Sequence, residues 1–190
     1  MASVVRRRRP AVPGGMQPLE PRAKWRAITL ATLLWAPGYW SLLAGIVSAA
    51  SDKSDAPSSG PFIAFGLALV PFVFVVLAFA SEHPRAPGAV VKAMGLALLV
   101  GIPASALVQD AVTGLVAGLG AGGVAALRMD AGHSRRDRAL AVLAVSVFAF
   151  LLVRVAGEMA LLLAPVLPFT AIGVADHLSE TRSDRAARPR

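Results

Sequence analysis

The chain has 190 residues, of which 56% are hydrophobic and 16% charged, with a mean hydropathy of +0.64 and a net charge of +8. Soluble domains carry about 25% charged residues, and a soluble chain of this size buries only about 70% of its surface. The absence of cysteine excludes disulfides, thiolate catalysis and cysteine-bound metals. The composition therefore predicts a membrane protein, and the abundance of Ala, Gly, Pro and Arg indicates a bacterial source with a GC-rich genome.

The first two apolar runs cover residues 27–50 and 61–80 and contain no Asp, Glu, Lys, Arg or His. At about 1.5 Å per helical residue, each is long enough to cross a hydrocarbon core of about 30 Å. The polar segment between them, residues 51–60, contains Pro and Gly and is typical of a loop. Neither run shows the alternation of a barrel strand, so both are predicted to be helices.

The later apolar stretches are too long for single spans. Residues 93–127 are interrupted only by Gln109 and Asp110, and as one helix they would be about 52 Å long. Tilt cannot absorb that excess, which predicts a turn at these two residues. Residues 139–175 are interrupted only by Arg154 and Glu158, where a second turn is expected.

The resulting prediction is an all-α bundle of six transmembrane helices in three hairpins. The expected spans are residues 27–50, 61–80, 93–108, 111–127, 139–155 and 159–175. Residues 1–26, which are basic and rich in proline, and residues 176–190 are expected to be disordered tails.

The basic residues predict the orientation of these spans. With the amino terminus in the cytoplasm, every one of the 19 Lys and Arg residues except Lys53 and Arg154 falls on the inner side. Positively charged loops resist translocation, so both termini are expected in the cytoplasm, with the chain in the bacterial plasma (inner) membrane. The positive net charge then reflects topology, and we expect no nucleic-acid partner.

The fourth span carries a small-residue pattern. Gly114, Gly118 and Gly122 recur every four residues, a spacing that allows two helix backbones to approach closely. We interpret the pattern as packing within the chain, with homodimerisation as the alternative.

In the first span, Tyr39 and Trp40 follow Pro37-Gly38 and are expected near the middle of the membrane. Buried aromatic side chains with polar tips need hydrogen-bond partners, so this position is predicted to be an interior kink.

The best candidate polar cluster consists of Gln109, Asp110, Arg154 and Glu158. Arg154 and Glu158 are four residues apart and would be neighbours if the helix continued. Ionisable groups near the membrane are costly without partners, so Arg154 is expected to pair with Asp110 or Glu158. The pair would either hold two hairpins together or serve as an ion or proton relay.

No motif predicts catalysis, a cofactor or a metal. The sequence contains no P-loop, the glycine-rich run of the fourth span lacks the serine that a rhomboid-type Gly-x-Ser nucleophile motif requires, and the histidines do not have the spacing of metal ligands. Those histidines and the neighbouring acidic residues are interpreted as polar loop residues: His83, His133, His177, Asp130, Asp137 and Asp176.

The sequence is compatible with two functions. The first is a non-enzymatic accessory or scaffold unit, with the lipid bilayer, other membrane proteins or a second copy as partners. The alternative is a small transporter or channel subunit that uses Asp110, Arg154 and Glu158. The scarcity of polar residues within the spans favours the first, because transport needs polar groups along a path.

Overall fold

A computed structural model describes residues 21–50, 58–127 and 135–174, and within these ranges the chain is helical with no strand. The helices are α1 (Pro21–Ala49), α2 (Ser59–Ala80), α3 (Ala86–Val108), α4 (Ala111–Ala126) and α5 (Arg135–Ala156). A 3₁₀ turn (Gly157–Met159) and the four-residue α6 (Ala160–Leu163) follow, and residues 167–174 are again helical. We call residues 160–174 the return segment.

Four helical stretches are long and apolar enough to cross a membrane: Arg22–Ala49, Ser59–Ala80, Ala86–Val108 and Arg135–Leu163. α4 is equally apolar but has only 16 residues, which makes it about 24 Å long. The described part of the chain is therefore all-helical, and its helices are suited to a bilayer.

Several helices begin before the apolar runs that predicted them. α1 starts at Pro21, so residues 21–26, which were assigned to a disordered tail, form its first turns. Proline suits the first position of a helix, and Arg, Lys and Ala propagate it well. Likewise, α3 starts at Ala86 and α5 at Arg135, before their apolar runs begin. A helix can extend beyond the hydrophobic residues that predict it. The remaining tail residues, 1–20 and 176–190, lie outside the described ranges.

α4 is the central helix. It contacts α2, α3, α5 and α6, and 13 of its 16 residues are buried. Its small side chains allow neighbours to approach from opposite sides. A short helix enclosed in this way does not need to match the thickness of the lipid, because protein covers it.

α3 and α4 pack with their backbones almost in contact. A Cβ atom placed on Gly118 would lie 2.7 Å from the carbonyl oxygen of Ala97, and one on Gly114 would lie 2.7 Å from that of Gly101. On Gly122 it would lie 2.8 Å from the carbonyl oxygen of Ala93 and collide with the ring of Phe74. The three glycines therefore serve contacts within the chain.

The chain reverses direction after α5. Gly157 has a φ of +58°, a left-handed conformation that glycine adopts without strain, and it ends the regular helix. Val145 of α5 and Leu167 of the return segment both lie against Gly120 of α4. The return segment thus runs back beside α5 and packs on α4.

A hydrogen bond joins α1 to the return segment. The indole Nε1 of Trp35, a residue with no exposed surface, donates to the carbonyl oxygen of Leu161 at 2.6 Å. In a regular helix this oxygen would accept from the N–H four residues later, but Pro165 has none. The backbone N–H of Ala164 reaches the same oxygen only at 3.3 Å. Trp35 therefore supplies the donor that Pro165 lacks.

Candidate functional site

The four residues of the predicted polar cluster lie around the α3–α4 and α5–return turns. Gln109 and Asp110 are the two residues between α3 and α4. Gln109 adopts the left-handed conformation with φ 54°, and the N–H of Asp110 donates to the carbonyl oxygen of Ser105 at 3.2 Å. This arrangement caps the C-terminus of α3 and directs the chain immediately into α4.

Asp110 is the N-cap of α4. Its carboxylate accepts hydrogen bonds from the backbone N–H groups of Val112 at 3.1 Å and Thr113 at 2.9 Å. The hydroxyl of Thr113, a buried residue, also donates to it. These donors are among the N–H groups that a helix start leaves without partners, so the carboxylate has a structural role.

Electrostatics at Asp110 favour the charged form. Partial burial raises the pKa of this carboxyl, but the hydrogen bonds from Thr113 and Val112 and the positive charge of Arg154 together hold it below its ordinary value of 3.8. The group is therefore an anion near neutral pH, and it is not poised to exchange protons there.

The predicted ion pair of Arg154 is not formed. Within the described ranges, no carboxylate oxygen lies within the 4.0 Å ion-pair distance of its guanidinium, which lies over the ring of Phe150 at 5.1 Å from the centroid. Gly157 breaks the helix between Arg154 and Glu158, so these two residues do not share a continuous helical face. Both are exposed. Arg154 acts on Asp110 only through its longer-range charge.

We expect Asp110→Ala to lower the free energy of unfolding by about 1 kcal/mol, because the first turn of α4 loses its cap. Asp110→Asn should retain most of that stability, since asparagine is also a good N-cap. Thermal unfolding of the purified protein in detergent measures both.

Wild type and Asp110→Ala also test how the stability contributed by Asp110 depends on pH. The folded-state pKa of Asp110 is lowered, so its contribution is complete above 3.8 and is lost as the pH falls through the folded value. Wild type and Asp110→Ala should therefore converge in acid. A gap between them that stayed constant from neutral pH into acid would contradict the capping role of the carboxylate.

The aromatic residues of α1 divide between interior and surface. Tyr39 is buried and its hydroxyl donates to the sulfur of Met159 at 3.0 Å, whereas Trp40 is 64% exposed. Only Tyr39 therefore has the buried environment predicted for the pair. Trp35, which the sequence analysis did not single out, is the more deeply engaged residue. Its spacing of four residues from Tyr39, on one helical face, is the signal that could have identified it.

The opposite end of the bundle is basic. The start of α1 meets the α2–α3 connection there, with Arg26 and Glu82 3.9 Å apart and both exposed. The same end contains a cavity of about 680 Å³ between α3, the end of α4 and the start of α5. Arg85, Lys92 and Arg138 line it, and none of the four residues of the predicted polar cluster does.

No group of three or more potential metal ligands occurs in the part of the chain that the structure describes. His83 lies in the α2–α3 connection, where its Nδ1 accepts a hydrogen bond from the backbone N–H of Arg85 at 3.1 Å. The predicted loop residues Asp130, His133, Asp176 and His177 lie outside the described ranges.

Comparison with family models, with curated proteins and with solved structures finds no match to this chain.

Proposed function

We propose that this chain is a six-span protein of the bacterial plasma membrane that acts as an accessory or scaffold unit for other membrane proteins. The proposal takes α4 and the return segment as the fourth and sixth spans. The two-residue turn before α4 and the reversal at Gly157 support that assignment. Each segment is short, but each packs against longer helices.

The orientation follows from the distribution of charge. Arg26, Arg85, Lys92 and Arg138 share one end of the bundle, while Arg154 lies at the other end with Asp110. Because positively charged segments stay in the cytoplasm, we place the basic end and both termini inside.

The interior of the bundle favours a scaffold over a transporter. Among the described residues, the polar residues buried as a whole are Ser81 and Thr113, and each makes a hydrogen bond within its own turn or cap. The hydroxyl oxygen of Thr32 is also buried, and it has no hydrogen-bond partner within the described ranges. Large apolar side chains and closely packed glycines fill the space between helices. Asp110, the residue on which the transport alternative depends, uses its carboxylate as a helix cap.

The observation that carries the proposal is the outward face of α3. Val91, Leu98 and Ile102 are exposed along this face, and Gly95 lies among them with no atom within 4 Å of a Cβ placed on it. A small residue in an apolar, lipid-facing surface lets the backbone of another helix approach. The glycines of α4 cannot serve this purpose because they are already in contact with α2 and α3.

Gly95→Leu tests this face directly. We expect the full-length protein to co-purify with specific membrane proteins, or with a second copy, in mild detergent. The variant should recover about tenfold less of the partner. Quantitative mass spectrometry measures recovery of other membrane proteins, and crosslinking measures association with a second copy. The bundle itself should stay folded, because the new side chain points into open space.

Gly173→Leu is the matched control. Gly173 also has open space around it but lies in the return segment, on a different helix. It should leave recovery unchanged. Equal recovery with wild type and Gly95→Leu would remove the α3 face as the binding surface. Saturable uptake of a small solute by vesicles that contain the purified protein, and not by empty vesicles, would favour the transport alternative.

A further inference from the structure

From the cavity at the basic end, we infer that this protein binds the phosphate headgroup of an anionic phospholipid. The inference rests on the membrane location proposed above but not on the scaffold role. Three cations reach one cavity from two helices: Arg85 at the start of α3, Lys92 two turns further on, and Arg138 of α5. No carboxylate of the described ranges forms an ion pair with any of them.

The walls of the cavity combine these charges with an apolar floor. Leu96 of α3, Val124 of α4 and Val142 of α5 lie deeper along their helices than the three cations do. A phospholipid has the same order of groups along its length, with an anionic head followed by an apolar tail. Basic pockets between transmembrane helices on the cytoplasmic side are suited to such headgroups.

The partial charges of the helix ends near the cavity do not change the sign of the charge there. The first turn of α3 contributes Gly88 and Ala89, and the partial positive charge of a helix N-terminus favours an anion. The end of α4 contributes Leu127, and the partial negative charge of a helix C-terminus opposes it. These half-charges act in opposite directions, so the three full positive charges decide the sign.

Other basic residues at this end do not line the cavity. Arg22, Arg135 and Arg136 are exposed and lie on the same side of the proposed topology. They provide a control set that removes the same net charge without touching the cavity. The general inside bias of positive charge predicts equal effects for the two sets, whereas a headgroup site predicts unequal ones.

The test is native mass spectrometry of the full-length protein in mild detergent, with phosphatidylglycerol added, and with phosphatidylcholine of the same acyl chains as the zwitterionic control. We expect one retained phosphatidylglycerol per chain and no comparable retention of phosphatidylcholine. Combining Arg85→Gln, Lys92→Gln and Arg138→Gln should weaken binding about 100-fold. The single variant Lys92→Gln should weaken it about fivefold, and the control triple Arg22→Gln, Arg135→Gln and Arg136→Gln should stay within about twofold of wild type.

Competition with glycerol 3-phosphate and inorganic phosphate distinguishes a lipid from a free phosphate. Either one displacing the lipid at equal concentration would overturn the assignment to a lipid. Equal losses in the two triple variants would overturn the assignment to this cavity. No other membrane protein is present in the experiment, and native mass spectrometry separates one copy of the chain from two, so its result does not depend on whether the α3 face binds a partner.

Discussion

Gly118→Leu is expected to lower the free energy of unfolding by about 3 kcal/mol, the upper end of the range for overpacked cores. Even the Cβ atom of the new side chain would lie 2.7 Å from the carbonyl oxygen of Ala97. That oxygen belongs to the backbone of α3, so no change of rotamer relieves the contact. The two helices must separate, and α4 then loses the packing that buries it.

The measurement is the midpoint of thermal unfolding in detergent, monitored by circular dichroism. A loss of this size corresponds to a fall of roughly 6–12 °C for a chain of this length. Gly95→Leu is the matched control, since the same substitution on the open face of α3 should leave the midpoint equal or higher. Equal midpoints for Gly118→Leu and wild type would contradict the close α3–α4 contact.

Trp35→Phe is the second substitution with a large expected effect. Phenylalanine retains most of the buried aromatic surface but removes the indole N–H. The carbonyl oxygen of Leu161 would then retain only the 3.3 Å contact from Ala164. An under-satisfied buried polar group costs about 1–3 kcal/mol, and the void left by the smaller ring adds to that cost.

A double-mutant cycle with Pro165→Ala isolates the hydrogen bond from the packing change. Alanine restores a backbone N–H at position 165, which can donate to the oxygen that Trp35 now serves. We therefore expect Trp35→Phe to cost less in the Pro165→Ala background than in wild type, with a coupling of about 1 kcal/mol. Chemical or thermal unfolding of wild type, the two single variants and the double variant gives this coupling energy. Strict additivity would show that the indole does not compensate for the proline.

The sequence predicted those features that depend on segment length and local polarity. Apolar runs of membrane-crossing length became helices, because a backbone in lipid must satisfy its own hydrogen bonds. Gln109 and Asp110 lie between α3 and α4, where the length argument placed a turn. α1, α3 and α5 start earlier than their apolar runs predict, because helix propensity and not the hydrophobic boundary decides where these helices begin.

The interactions of the polar cluster were predicted less well. Arg154 was expected to pair with Asp110 or Glu158, but the carboxylate of Asp110 instead accepts hydrogen bonds from backbone N–H groups two and three residues away. Aspartate directly before an apolar helical run is itself an N-cap signal, so this outcome was accessible from the sequence. The bond from Trp35 to Leu161 was not, since only the fold brings together residues 126 positions apart.

The enclosure of α4 has a consequence for biogenesis. With 16 residues, α4 is about 24 Å long and falls short of a hydrocarbon core of about 30 Å, so it integrates poorly until protein neighbours cover its ends. The two-residue link to α3 lets both leave the translocon as a preassembled unit, with their glycine faces already joined. A nascent chain halted after α4 should therefore integrate stably, whereas α4 supplied without α3 should be rejected by the membrane and degraded.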